Sequence, residues 1–194
     1  MTKEQILEAT LELACEKGLG RISMSQIAAK VNLKKSSLYS HFESKEQIIE
    51  SMYEYFRNKA KVQTGNTETD YGKLVEGRSL NEVLTFVINS YRRMNSDSDM
   101  DKFYRLIESE RIYNPSAAMI MVEETNKMIA ATKSLFYAMA AKGITSFENP
   151  DAAAISFAMT VHSILVFECD ARMAGVDADG MMETFIDEFC RIYG

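Results

Sequence analysis

The helix breakers decide what this chain can become. Its 194 residues hold two prolines and nine glycines, and none of them interrupts a stretch of apolar periodicity. Both prolines follow an asparagine, as Asn114-Pro115 and Asn149-Pro150. Asparagine caps a helix start well, and a first-turn proline lacks an N–H that the start leaves unpaired anyway. Gly18, Gly143 and Gly175 each close a periodic stretch, as glycines just past a helix end do. Strand-type alternation occurs nowhere, so the expected class is all-α.

Reading the periodicity between these breakers gives about nine helices. The first should span 3–17, with Thr2 capping, Gln5 reaching back, and Ile6, Thr10, Leu13 and Ala14 on one face. Ser23 with Gln26 opens a short helix to Val31, residues 33–41 form another, and Ser44 with Gln47 opens a long one to about Lys61. Residues 62–79 read as a loop with at most a partial turn. Helices are then expected over 80–94, 100–113, 115–142, 150–174 and 177–193. The helix over 115–142 is apolar on several sides (Met121, Val122, Met128, Ile129, Leu135, Phe136, Met139), as a centrally packed helix would be.

Composition narrows the function classes. A hydrophobic fraction of 46% with 26% charged residues excludes a disordered chain. Cys15, Cys169 and Cys190 form no CxxC pair, which argues against a disulfide framework and a zinc site. No stretch approaches the roughly 20 apolar residues of a membrane helix, and the start lacks a signal-peptide core. A cytoplasmic protein without membrane partner, metal or cofactor is the expectation. The net charge of −6 would disfavour nucleic acid as a partner, because phosphates are bound by Lys and Arg. The charge is segregated, however: residues 17–45 carry six Lys/Arg against one acid, Glu43.

That basic window contains a recognisable arrangement. Over residues 23–42 two short helices meet at Val31-Asn32-Leu33, where Asn32 tolerates the left-handed conformation a sharp turn requires. Ile27, Val31, Leu33, Leu38 and Phe42 supply an inner face, with the small Ala28 at the crossing. Lys34, Lys35, Ser36, Ser37, Tyr39, Ser40 and His41 are left outward, a short cationic and hydroxylic surface suited to a major groove. The run Ile27-Ala28, Lys35, Leu38-Tyr39, His41-Phe42 and Ser44-Lys45-Glu46 resembles the helix-turn-helix of the TetR family of transcriptional regulators over about the first 60 residues. Asn32 departs from the family's usual glycine, and Lys34 from its frequent Ser or Thr.

The resemblance implies a helix-turn-helix DNA-binding domain over 1–45, joined by a long helix to a ligand-binding and dimerisation domain over 46–194. It implies that Lys34, Lys35, Ser36, Ser37, Tyr39, Ser40 and His41 face double-stranded DNA, with phosphate contacts from Ser25 and Lys45. A homodimer on a palindromic operator, with an unknown small-molecule effector, follows from the same resemblance. Phe157, Val161, Ile164 and Leu165 stripe one late helix and Phe185 and Phe189 the next; such stripes serve either plain core or a dimer interface. For an effector pocket the candidates are Tyr91, Phe103, Ile107, Met121, Met128, Phe136, Met159 and His162. Thirteen methionines suit adaptable packing as well as a pocket, and His162 suits a core hydrogen bond as well as a ligand contact.

Other chemistry has little support. Asp97, Asp99, Asp101 and Glu108 match a calcium-loop spacing, but Lys102 stands where the loop needs glycine. His162 and Cys169 lie about 10.5 Å apart along one helix, too far for proton transfer. The expectation is a non-enzymatic, repressor-type regulator. A regulator whose C-terminal domain binds a protein, a plain helical interaction module and an enzyme assembled by the fold are the rivals.

Overall fold

The computed structural model describes residues 2–63, 69–94, 98–178 and 180–194. Among them there are ten α-helices and no strand: α1 Lys3–Lys17, α2 Met24–Lys30, α3 Lys35–Tyr39, α4 Lys45–Gln63, α5 Tyr71–Val75, α6 Leu80–Met94, α7 Ser98–Glu110, α8 Pro115–Ala141, α9 Pro150–Ala174 and α10 Met181–Tyr193. The helix beyond the expected set is α5, a five-residue piece inside the stretch read as loop, held by Asp70 accepting from the Lys73 amide at 3.1 Å. Residues 64–68 of that stretch lie outside the described residues.

Local chemistry explains the boundaries. Thr2 and Gln5 form the reciprocal capping box expected of them. Ser23 and Ser44 also cap, through the amides of Gln26 and Gln47, but their glutamines reach elsewhere. The Gln26 side chain accepts from the Ser23 hydroxyl, and that of Gln47 accepts from the Glu43 amide. Asn114 and Asn149 cap the two proline-led helices, α8 and α9, as their positions imply. At the other end of α9, Gly175 is left-handed and the Val176 amide bonds back to the Ala171 carbonyl, the closure of a Schellman end.

The chain divides into two compact units, residues 1–67 with 93–121 and residues 68–92 with 122–194. The first is larger than the 1–45 segment that carries the motif, because α4 and α7 pack with α1 and the start of α8 joins the same core. Its core gathers Ile6, Leu11, Ile27, Leu38, Ile48, Met52, Phe56, Phe103 and Ile107, with Phe56 stacked on Phe103 at 5.3 Å. The buried Thr10 donates to the Ile6 carbonyl at 2.7 Å, so its hydroxyl costs little in this apolar setting.

The second unit is built on aromatic rings. Phe136 stacks on Phe147 at 4.7 Å and meets Phe157 and Phe189 at 5.5 and 5.7 Å. Leu84, Ile88, Met139, Ala154 and Met182 close around them. The buried Thr145 donates to the Tyr193 carbonyl, fixing the end of α10. Arg92 on α6 bonds Glu168 on α9 at 2.6 Å and reaches Glu183 on α10 at 3.5 Å.

Two sequence expectations need correction. Helix α8 is not enclosed along its length: Leu135, Phe136 and Met139 are buried, Met121, Met128 and Ile129 are half-buried, and Val122 is exposed. Apolar composition on several sides therefore does not translate into burial within either unit. Helix α9 is long and apolar enough, by length and composition alone, to cross a bilayer, with about a third of that stretch buried. The core of the second unit takes one side of it, and His162, Glu168 and Asp170 lie on the same helix.

Candidate nucleic-acid interface

The turn between α2 and α3 is made by Asn32, whose φ of 55° is the only positive one outside glycine among the described residues. The Leu33 amide bonds the Ala28 carbonyl at 2.8 Å and the Asn32 amide bonds that of Ala29 at 3.1 Å. This is the Schellman arrangement with asparagine in glycine's place. Left-handed backbone is costly for ordinary L-residues and mild for asparagine. Asn32→Gly should therefore hold or slightly raise stability, whereas Asn32→Ala should lower it by about 1 kcal/mol. Urea denaturation of the two variants checks this, and equal midpoints would show that the turn is unstrained.

With the turn set, Ile27, Ala28, Val31, Leu38 and Phe42 are buried, and Leu33 packs half-buried against them. That burial holds α3 with its polar side outward. Ser25, Lys34, Lys35, Ser36, Tyr39 and Ser40 are exposed, whereas Ser37 and His41 are half-buried. Tyr39 keeps 47% of its surface accessible, and the Lys35 ammonium lies 5.9 Å from its ring centroid, a cation–π pair across one turn. The Ser40 hydroxyl is engaged in its own helix, donating to the Ser37 carbonyl at 2.7 Å.

Lys45 has a different surrounding from the other cations. Its ammonium donates to the carbonyls of Leu19 and Ile22, both at 3.3 Å, tying the segment between α1 and α2 to the start of α4. Two of its three donors are thus satisfied inside the domain, and one remains for a phosphate.

Pairing with carboxylates is common among the cations elsewhere in the chain. Lys59, Lys73, Arg92, Lys102, Arg105, Arg111, Lys127, Lys133 and Arg191 all lie within 4 Å of a carboxylate. Lys3, Lys17, Arg21, Lys34 and Lys35 have no such partner among the described residues, and Lys30 alone in this segment is paired, with Glu12 and Glu16. Lys34 and Lys35, at the start of α3, stand without internal counter-charge beside its exposed hydroxyls, an arrangement suited to polyanion phosphates.

The eight pocket candidates divide between the units. Phe103 and Ile107 are fully buried in the first unit's core, and Met121 packs against it. Phe136 is the centre of the second unit's ring cluster. Tyr91, Met128 and His162 are half-buried and Met159 is exposed. Burial, then the nearby Tyr71 and Glu124, push the Tyr91 phenol up. A cleft of about 650 Å³ in the second unit is lined instead by charged residues, Arg92, Glu168, Arg172, Asp177 and Glu183. None of these is legible in the sequence, because ion pairs between distant helices leave no periodic signal.

The apolar stripes of α9 and α10 lie mostly inward. Phe157, Val161, Ile164 and Phe189 are buried in the second unit's own core, and Leu165 and Phe185 are half-buried against it. These side chains are already covered within one chain. The large apolar residues that α9 turns to solvent are Ile155, Met159, Phe167 and Met173, and α10 exposes Met181 and Ile192. The calcium spacing also dissolves: Asp99 lies near Lys59 and Lys102, Asp101 pairs with Arg105 and Glu108 with Arg111, while Asp97 lies outside the described residues.

Comparison with known proteins agrees with this geometry. Residues 6–52 match the model for bacterial regulatory proteins of the tetR family, and residues 82–194 match that for the C-terminal domain of AefR-like transcriptional repressors. The biofilm operon icaADBC negative transcriptional regulator IcaR of Staphylococcus aureus (strain Newman) is 38% identical over 60 residues, which cover 29% of this chain and 32% of IcaR. The match thus spans about a third of that relative's length. Among solved structures, a TetR family regulator from Pseudomonas syringae pv. tomato superposes with a TM-score of 0.66 at 21% identity, covering 99% of this chain and 96% of that one. The SmeT–triclosan complex superposes at 0.69 with 15% identity, covering 98% and 90%. At these identities the structures speak for the fold.

Proposed function

The chain belongs to the TetR family of bacterial transcriptional regulators, and on that premise we propose that it is a repressor that binds a two-fold-symmetric operator as a homodimer. The family is one of regulators and not of enzymes, and its members bind DNA and small-molecule effectors. The observation that carries the reading is the outward α3 surface: Lys34, Lys35, Ser36 and Tyr39 exposed over a buried Leu38, among cations that no carboxylate neutralises. Repression is supported by the AefR-like repressor model over 82–194 and by the negative regulator IcaR.

In this reading Lys35 and Tyr39 reach base edges, while Lys34, Ser25 and the last free donor of Lys45 hold phosphates. Ser36, Ser37 and His41 flank the base-reading pair, with Ser40 anchored to its helix. One short helix reads few base pairs, so two copies spaced about one helical turn of DNA apart supply the rest. The exposed apolar side chains of Ile155 and Phe167 on α9 are the surface offered to a second copy. An effector that binds better to the form with misplaced recognition helices would lower operator affinity. The triclosan in SmeT supports a small-molecule effector, and Tyr91, Met128, Met159 and His162 are the candidate contacts in the second unit.

Selection of bound sequences from a random DNA pool, paired with sedimentation equilibrium, tests the reading. A palindromic consensus and a dimeric mass are the expected results. Recovery of no common sequence would overturn specific DNA recognition, and a monomer at micromolar concentration would overturn the dimer.

A further inference from the structure

Resting on the DNA-binding reading above, we propose that Lys3, outside the helix-turn-helix, holds a DNA phosphate at the end of the recognition helix. Lys3 is the first residue of α1, and the Thr2–Gln5 capping box fixes the backbone there. Its ammonium lies 5.4 Å from the centroid of the Phe42 ring. Phe42 is buried three residues beyond α3, and its amide bonds the Leu38 carbonyl at 3.1 Å. The contact therefore places a positive charge from the start of α1 beside the turn that ends the recognition helix.

Two features suit that charge to a phosphate. Lys3 has no carboxylate within 4 Å among the described residues, although Glu4 is its chain neighbour. The cation–π contact also restrains a flexible stem before DNA arrives, so less side-chain freedom remains to be lost on binding. Lys34 and Lys35 stand at the other end of α3. With Lys3 added, positive charge brackets the helix at both ends, an arrangement that fixes its register against the backbone. A phosphate contact of this kind carries no base information, so it should act alike on every sequence.

The test uses the full-length protein, the selected operator and a scrambled duplex of equal length, with binding measured across a range of salt. Lys3→Met retains an apolar stem against Phe42 and removes the charge; Lys3→Arg retains the charge. For Lys3→Met we expect affinity about three- to tenfold weaker on both duplexes at low salt. Its slope of log K against log salt should be shallower by about 0.9 for each Lys3 engaged. Lys3→Arg should restore the wild-type slope, and all three proteins should melt alike. An unchanged slope for Lys3→Met, or a loss confined to the operator, would overturn the assignment. Failure of the wild-type protein to bind either duplex would overturn the parent reading itself.

Discussion

Replacing Lys35 and Tyr39 together by alanine will remove most of the protein's discrimination between its operator and random DNA while leaving the fold intact. Both side chains are exposed, and exposed substitutions away from caps and cores usually change stability by no more than about 0.5 kcal/mol. Their mutual cation–π contact adds at most about 1 kcal/mol at such a site. Base contacts are worth more: a well-made pair discriminates by about 1–3 kcal/mol, and a two-fold dimer counts each twice. Loss of both residues should lower the specific-to-random affinity ratio by about a hundredfold or more. Fluorescence anisotropy on operator and scrambled duplexes at one salt concentration reads this ratio. An unaltered ratio would move base recognition away from α3.

The second large effect is on stability. Phe136→Ala should cost about 3–5 kcal/mol, the range for a large aromatic removed from a packed core. Its side chain is fully buried and touches three other phenylalanine rings, so the surroundings cannot close the void without moving several helices at once. A loss of that size is a large fraction of a typical domain's stability. Chemical denaturation followed by far-ultraviolet circular dichroism gives the value. A cost below about 1 kcal/mol would mean that the ring cluster is loosely packed. Phe185→Ala, at a half-buried position of the same cluster, should cost less.

Much of the candidate site was legible before any coordinates. Asn32 announced a left-handed turn because few residues tolerate that backbone, and its φ of 55° agrees. The alternation of Leu38 and Phe42 with Lys35 and Tyr39 announced which side of α3 is buried. Lys45 was not legible in the same way. Its sequence position suggests a phosphate, yet its ammonium spends two donors on the carbonyls of Leu19 and Ile22. Nothing in a one-dimensional pattern says that a loop more than twenty residues earlier will lie within its reach. Lys3 was not legible for the same reason, since its nearness to Phe42 is a contact between the first and fifth tens of the chain.

Helix α9 marks the boundary of sequence reading most clearly. Its apolar residues fill more than one side, so periodicity alone could not say which stripe the core would take. The coordinates give Phe157, Val161 and Ile164 to the core and leave Ile155, Met159 and Phe167 to solvent. Helix α7 joining α1 and α4, and the Arg92 pairs with Glu168 and Glu183, are likewise products of assembly.

By itself the amino-acid order determined nine of the ten described helices, most of their ends and the outward cationic face of α3. Caps, turns and amphipathic stripes act between residues at most about four or five apart, so neighbours suffice to encode them. Only the tertiary structure decided which of several apolar stripes is buried and which charges are neutralised. Those outcomes depend on which distant helices meet, and close packing admits one face of each at a time.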